Sequence, residues 1–241
     1  PPALSRLVTD RIAELEPEVV DAACLVAALG RPRPGTVLPT IAGWFGRGDG
    51  TDDADGDRRS PAHAERVLDL AATAGLLTMT GERLTTSHPL IGAALLAFLP
   101  PFRRRWMHRR AAELAETPEA RALHLSEATG VGAEDDARDQ AGDREAERVE
   151  LLEALDRAVS AARARGALTT AARFAMRALA VGEPTAPLGA ETDGPPPGAL
   201  GARVVDVAEL HYQAGDLDAV LATLEHRDLG ALGPDLLERA A

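Results

Sequence analysis

Residues 76–90 read LLTMTGERLTTSHPL, and this stretch decides the fold of the first half of the chain. Two runs in which leucine, methionine and threonine alternate, Leu76–Thr80 and Arg83–Ser87, flank the pair Gly81-Glu82. Such alternation is typical of strands, and a glycine-containing pair between two such runs predicts a β-hairpin. This is the only strand signal in the 241-residue chain.

Helix signals surround the hairpin on both sides. Apolar residues at helical spacing predict a first helix, a second closed by Gly30, and a third over Val37–Phe45 with Pro39 in its first turn. Another helix begins at the N-cap pair Ser60-Pro61, and one more follows the hairpin. This order of several helices, a hairpin and a further helix is typical of a winged-helix module, which we assign to residues 1–98.

The second half, residues 99–241, is predicted to be entirely helical. The segments ARGAL at 164–168 and QAGDL at 213–217 each place a glycine between two helices, with apolar residues three to five positions later. This pattern resembles the tetratricopeptide repeat, in which small residues such as Ala171 and Ala178 let antiparallel helices pack closely. Alanine-rich helical hairpins of any origin have a similar appearance. Either interpretation predicts a mainly α array of helical hairpins.

Three stretches rich in Gly, Asp or Pro interrupt the helices: 46–60, 131–143 and 182–201. They lack the large apolar side chains whose burial would offset the entropy of ordering, so we expect mobile surface loops. The helices predicted in the second half are 120–128, 145–165, 168–181, 202–214 and 217–226, with a short last one from Pro234.

Charge and composition exclude several classes of function. The chain carries 26 Arg, no Lys and 38 acidic residues, a net charge of −12, whereas unaided nucleic-acid binding needs a positive surface. A single cysteine, Cys24, excludes a disulfide framework and a multi-thiolate zinc site, and the cytoplasm is the expected compartment. The apolar run Leu90–Leu99 is too short to span a membrane. No serine lies in a G-x-S-x-G context, and we expect no enzyme.

A further pattern lies within residues 86–130. His88-Pro89-Leu90 precedes an apolar segment, an arginine-rich segment with His108, and the run Arg121-Ala122 with His124-Leu125. This succession resembles the middle region of large ATP-binding transcription regulators of the LuxR type, which are signal-transduction ATPases with numerous domains. Three other segments are similar to flanking parts of that family: AACLVAALG at 22–30, LDLAATAGLL at 68–77, and the repeat region at 166–179.

The resemblance implies a P-loop ATPase module, a winged helix, a helical sensor array and a C-terminal helix-turn-helix that binds promoters. The chain lacks the motif G-x-x-x-x-G-K-[ST], since it has no lysine, and residues 202–241 hold only three Arg. The chain begins with Pro1, so we expect a piece of a longer polypeptide. We expect this piece to bind no cofactor, while the resemblance implies ATP or ADP in the parent. Its expected partners are the ATPase and helix-turn-helix modules of the same polypeptide and a small-molecule or protein inducer, without direct contact to nucleic acid or membrane.

Two groups of residues are candidate sites. In related ATPases a histidine after the wing contacts the diphosphate of ADP, so the resemblance implies this nucleotide-sensing role for His88 in the parent; the plainer interpretation is a cap on the helix beginning at Pro89. The second group is a cluster of arginines, for which we expect either contact with an anion or a solvated helix face that pairs with Glu113 and Glu116. It comprises Arg103, Arg104, Arg105, Arg109 and Arg110. We expect no metal site, because His108 and His124 have no accompanying ligand cluster.

The helix over Ala62–Ala74 occupies the place of the DNA-reading helix, yet Arg66 is its only arginine. The winged helix is therefore expected to pack rather than to read DNA. We expect a regulatory or sensor piece that docks within its own polypeptide and binds a ligand or protein on the concave face of the array. The alternative is a stand-alone helical scaffold that binds a partner peptide. A DNA-binding winged helix is disfavoured by the charge.

Overall fold

The computed structural model describes residues 11–45, 60–129, 141–182 and 197–225. These residues are mainly helical, with one small antiparallel hairpin. Contacts divide the chain into two compact units, residues 1–115 and 116–241. Most of the predicted loops 46–60, 131–143 and 182–201, the start of the first predicted helix and the short helix from Pro234 lie outside the described residues.

In the described range the first unit holds the end of a helix at residues 11–13, five further helices and the hairpin. The further elements are α1 (Pro17–Leu29), α2 (Pro34–Phe45), α3 (Pro61–Thr73), β1 (Leu77–Thr80), β2 (Arg83–Thr86), α4 (Pro89–Phe98) and α5 (Pro101–Leu114). All five helices begin at a proline, whose fixed φ suits the first helical position and whose missing N–H costs nothing there. The N-cap predicted at Ser60 is confirmed, since the amide of His63 donates to its hydroxyl at 3.0 Å.

The hairpin lies where the sequence predicts it. Leu77 pairs with Thr86 and Thr80 with Arg83, and Gly81 turns the chain with φ of 62°. The amide of Leu84 in β2 donates to the carbonyl of Pro32 at 2.8 Å, so the connection between α1 and α2 is tied to the hairpin. This long-range bond was not predicted.

Helix α1 is the centre of the first unit. It packs against α3, α4 and α5, and seven of its thirteen residues are buried, among them Cys24 and Leu25. Helix α5 contributes Met107 and Leu114 to this same core, and the compact unit runs to residue 115, whereas the predicted winged-helix module ends at residue 98.

Two sequence-based assignments need correction. The third helix begins at Pro34 and not at Val37, so Pro39 lies inside it rather than in its first turn. The reason is that Pro34 is itself a favourable first helical residue. The helices of the second unit also extend into the predicted loops: residues 141–143, 182 and 197–201 are helical. Pro197 again supplies a favourable helix start.

The second unit is a succession of helices in the described range, each packed against the next. They are α6 (Pro118–Thr129), α7 (Ala141–Ala164), α8 (Leu168–Gly182), α9 (Pro197–Gln213) and α10 (Leu217–Glu225). Alanine supplies about half of their buried apolar residues. Ala162, Ala171 and Ala172 form one cluster with Leu210, and Ala178 is buried, as the repeat pattern predicts, whereas Arg173 is exposed.

The turns at Gly166 and Gly215 have the same geometry. Both glycines have positive φ, 71° and 79°. In each, the amide of the following residue reaches back to the last turn of the preceding helix: Ala167 donates to the Ala162 carbonyl and Asp216 to the His211 carbonyl, both at 2.9 Å. These are the hydrogen bonds of the Schellman motif, which ends a helix on a left-handed residue.

Replacing Gly166 with alanine is expected to lower the free energy of unfolding by about 1 kcal/mol. An added Cβ would meet no atom within 4 Å, so the cost comes only from the left-handed backbone. Asparagine tolerates this conformation better, and Gly166→Asn should lose less. Urea unfolding followed by circular dichroism measures both variants. Equal losses for alanine and asparagine would show that backbone conformation is not the cause.

Candidate functional site

The outer face of α3 is the first candidate surface, because the winged-helix interpretation would make α3 the DNA-reading helix. Ala64, Val67, Leu68 and Ala71 point into the core. The charged residues Glu65, Arg66 and Asp69 lie on the exposed face, so it carries two carboxylates and one guanidinium. A DNA phosphate would meet more repulsion than attraction on this face.

His88 caps helix α4. Its ring nitrogen Nδ1 accepts a hydrogen bond from the amide of Leu90 at 3.1 Å, which confirms the capping interpretation. An accepting Nδ1 is unprotonated, so in the neutral ring the proton sits on Nε2. Because the residue is exposed, this arrangement presents an N–H donor to the solvent. Capping therefore leaves the ring able to donate to an anion.

The arginines of α5 are not one uniform solvated face. Arg103 forms an ion pair with Asp21 of α1, and its guanidinium lies 4.3 Å from the centroid of the Trp106 ring. Arg110 pairs with Glu113 at 2.6 Å, as predicted for the amphipathic helix. Arg103 is thus held by the fold.

The remaining arginines of the predicted cluster differ in exposure. Arg104 is exposed, while Arg105 and Arg109 are half-buried. Because Arg103 is paired with Asp21, fewer arginines of the predicted cluster are available to contact an anion. Arg104 is the most accessible of the arginines predicted to contact an anion.

Sequence reasoning missed the aromatic pair beneath these arginines. The rings of Trp44 and Trp106 lie 4.9 Å apart at an angle of 51°, and Arg103 and Arg110 both approach Trp106. Cations over an indole face gain electrostatic attraction to the ring. The chain has only two tryptophans, and their scarcity was the one feature of the sequence that could have drawn attention to this pair.

His88 and Arg103 lie beyond opposite ends of α4, which at 1.5 Å per residue is about 15 Å long. His108 is buried in the first unit, and His124 is half-buried in the second. Among the described residues no three His, Cys, Asp or Glu side chains are grouped so that they could hold a metal ion.

Cys24 has an unreactive environment. The thiol is buried in α1 and lies 3.5 Å from the Leu95 carbonyl, to which it donates. Burial, and secondarily the charge of Asp21, raise the pKa of the thiol from 9.0 to about 12, against the opposing effect of Arg103. At neutral pH the nucleophilic thiolate is therefore nearly absent.

Charge is distributed unequally between the two units. Residues 1–115 contain 14 Arg and 14 acidic residues, whereas residues 116–241 contain 12 Arg and 24 acidic residues. The whole net charge of −12 therefore belongs to the second unit. No helix in the described ranges combines the length and the apolar character that crossing a membrane requires.

Comparisons with known protein families, with curated proteins and with solved structures found no match to the chain.

Proposed function

We propose that this chain is a regulatory part of a LuxR-type ATP-binding transcription regulator, and that it acts by docking and by sensing rather than by catalysis. Its first unit would be the winged-helix-like module and its second unit the tetratricopeptide-like sensor array. The ligand or protein inducer would bind on the array, and the winged helix would dock within the parent polypeptide.

The element order supports the winged-helix interpretation of the first unit. Helices α1 to α3 precede the hairpin, and α4 follows it. The bond from Leu84 to Pro32 ties the hairpin to the connection between α1 and α2. The hairpin is thereby an integral part of the helical unit rather than an independent appendage.

The repeated helix turns support the array interpretation of the second unit. Gly166 and Gly215 close their helices with identical hydrogen-bond patterns, and small residues occupy the positions where helices cross. Arrays of helical hairpins expose extended surfaces, which repeat proteins use for binding.

The choice of protein docking over DNA binding rests on one observation. The outer face of α3 has two carboxylates, Glu65 and Asp69, around its single Arg66. Major-groove readers place Arg, Lys, Asn or Gln at these positions. A helix with this face suits a protein partner.

His88 would have its role in the parent. Its exposed Nε2–H can donate to a phosphate oxygen while Nδ1 keeps the cap on α4. This supports the proposed contact with the diphosphate of ADP bound to an ATPase module of the same polypeptide.

We expect the chain to bind duplex DNA no better than non-specifically, with a Kd of roughly 10⁻⁴–10⁻⁶ M or weaker. Fluorescence anisotropy with labelled duplexes at fixed salt measures this. The matched control is the double variant Glu65→Arg, Asp69→Arg, which makes the α3 face basic and should bind more tightly with a steeper salt dependence. Sub-micromolar, sequence-dependent binding by the unaltered chain would contradict the prediction.

The genomic reading frame around the segment tests the proposal as a whole. We expect a P-loop motif upstream and a helix-turn-helix downstream in the same frame. With that frame known, His88→Ala in the full-length regulator should alter its affinity for ADP, whereas His88→Asn, which can still cap α4, separates loss of the ring from loss of the cap. A frame without a P-loop would favour the alternative of a stand-alone scaffold that binds a peptide.

A further inference from the structure

Helix α10 carries two exposed leucines one turn apart. Leu217 and Leu221 are 59% and 57% exposed, and their spacing of four residues places them on one face of the helix. The other exposed large apolar residues described in the second unit occur singly on separate helices, which is ordinary for a protein surface. The leucines of α10 are a different case, because together they form an apolar strip.

Other residues hold α10 in the array. Leu224 packs against a buried cluster that includes Leu179 of α8 and Val204 of α9. Thr223 is buried, and its hydroxyl lies 3.9 Å from the sulfur of Met176 in α8. The packing of α10 against the described helices therefore leaves the leucine strip largely uncovered.

Carboxylates line one edge of this strip. At about 100° per residue, Asp218 and Glu225 lie within about 60° of Leu221 around the helix, and both are exposed. Glu225 also lies in the last turn, where the helix dipole favours a cation. The α10 face, formed by Leu217, Asp218, Leu221 and Glu225, is thus apolar along its length and acidic along one side.

The carboxylates of the α10 face lack the cations that other helices of the second unit provide for one another. Arg121 pairs with Glu150 and Arg203 with Asp156, both at 2.7 Å, and each pair joins two helices. Helix α10 contains no basic residue, and none of the described side chains pairs with Asp218 or Glu225. A partner of this face would therefore supply positive charge as well as apolar surface.

We propose that the α10 face binds an amphipathic helix of a partner protein. The apolar stripe of that helix would lie on the two leucines, and its Arg or Lys side chains would pair with Asp218 and Glu225. Each described helix of the second unit packs against the next, so a partner helix laid on α10 would extend the array by one member.

Charge selects this class of partner. The second unit carries 24 acidic residues against 12 Arg, so it attracts a cationic helix over a longer range than the contact itself. The same carboxylates repel the phosphates of nucleic acids and of anionic lipids.

A role for the α10 face in sensing rests on the proposed function and deepens it, because it names the class of protein that the array would bind. The two can fail separately. The genomic reading frame tests whether the chain belongs to a regulator, whereas binding of a peptide to α10 tests the face whatever modules surround it.

Fluorescence anisotropy with the labelled peptide RLAQLRARLAQLRAR tests the face in the full chain. In a helix the leucines of this peptide share one face and its arginines flank them. We expect saturable binding of one peptide per chain. The double variant Leu217→Glu, Leu221→Glu should bind at least about tenfold more weakly, because the loss of both apolar anchors outweighs the attraction of two added carboxylates. An isomer of the peptide with its leucines spread around the helix should be weakened similarly.

The matched control adds the same charge elsewhere. Ala146→Glu, Ala180→Glu introduces two carboxylates at exposed positions of α7 and α8, and it should bind the peptide at least as tightly as the native chain. General attraction between opposite charges predicts the same change for both double variants, whereas the α10 face predicts opposite changes. Circular dichroism checks that both variants keep their helix content.

Neutralising the edge of the face separates its charge from its apolar strip. Asp218→Asn, Glu225→Gln should weaken peptide binding and reduce its dependence on salt. Equal affinities of the leucine and alanine double variants would overturn the proposal, as would equal binding of the peptide and its isomer. Sedimentation showing that the native chain associates with itself through Leu217 and Leu221 would also overturn it, and would assign the face to a second copy.

Discussion

Raising the pH from 8 to 11 is expected to lower the free energy of unfolding by about 2–3 kcal/mol through Cys24 alone. Burial raises the pKa of this thiol from 9.0 to about 12 in the folded chain. A group whose pKa is raised by folding stabilises the folded state fully below its unfolded pKa. That stability is lost as the pH rises through the interval between the two values, here from about 9 to about 12.

The composition makes this effect unusually easy to isolate. The chain has no lysine and a single tyrosine, Tyr212, so few other side chains change charge in this pH range. Urea unfolding at pH 8, 9.5 and 11, followed by tryptophan fluorescence, measures the loss.

Two variants provide the controls for the alkaline loss. Cys24→Ala removes the thiol and should flatten the pH dependence, although it lowers stability at every pH by the cost of a smaller core residue. Tyr212→Phe should leave the dependence of the native chain in place. If Cys24→Ala loses as much stability between pH 8 and 11 as the native chain, the buried thiol is not the group responsible.

Local signals made the secondary structure predictable. The hairpin follows from the alternation on either side of Gly81, and the start of α3 follows from the pair Ser60-Pro61, whereas the start of α2 at Pro34 was not predicted. Both signals act within a few residues, so they can be recognised without knowing the tertiary structure. The buried positions of Ala171 and Ala178 were predictable for the same reason, since helical periodicity places them on one face.

The contacts that define the candidate surfaces were not predictable, because they join distant parts of the chain. The ion pair between Arg103 and Asp21 spans 82 residues, and no local pattern indicates which carboxylate a given arginine reaches. The same applies to the tilted ring pair of Trp44 and Trp106 and to the bond between Leu84 and Pro32. An arginine-rich helix therefore looks the same in sequence whether its cations are free for an anion or held by the core.

The extent of the compact first unit could not be predicted from the sequence for a related reason. Its expected boundary at residue 98 follows the end of the apolar run in α4, whereas α5 begins with three arginines within five residues and has a polar appearance. Only the packed structure shows that Met107 and Ala111 on the other side of α5 are fully buried. The polarity of one helix face thus concealed the apolar face that holds α5 in the first unit.

Enlarging Ala178 is expected to destabilise the array by crowding the contacts of α8 with its neighbours. Ala178 is 1% exposed on α8, which packs against both α7 and α9. A leucine adds three carbon atoms where the side chain has no room, and overpacking of this kind costs about 1–3 kcal/mol. At roughly 2–4 °C per kcal/mol for a chain of this size, Ala178→Leu should lower the Tm by several degrees.

The same substitution two residues later is the matched control. Ala180 lies on the exposed side of α8, so Ala180→Leu makes the same change in composition and helix propensity without crowding a neighbour. It should leave the Tm within about 1 °C of the native value, because surface substitutions away from specific contacts change stability little. Thermal melting followed at 222 nm compares the two variants directly. Equal losses for both would mean that the helix itself, and not its packing against α7 and α9, responds to leucine. The array would then owe its stability to helix propensity rather than to close contact between alanines, and the resemblance of its small-residue positions to a helical repeat would carry no weight.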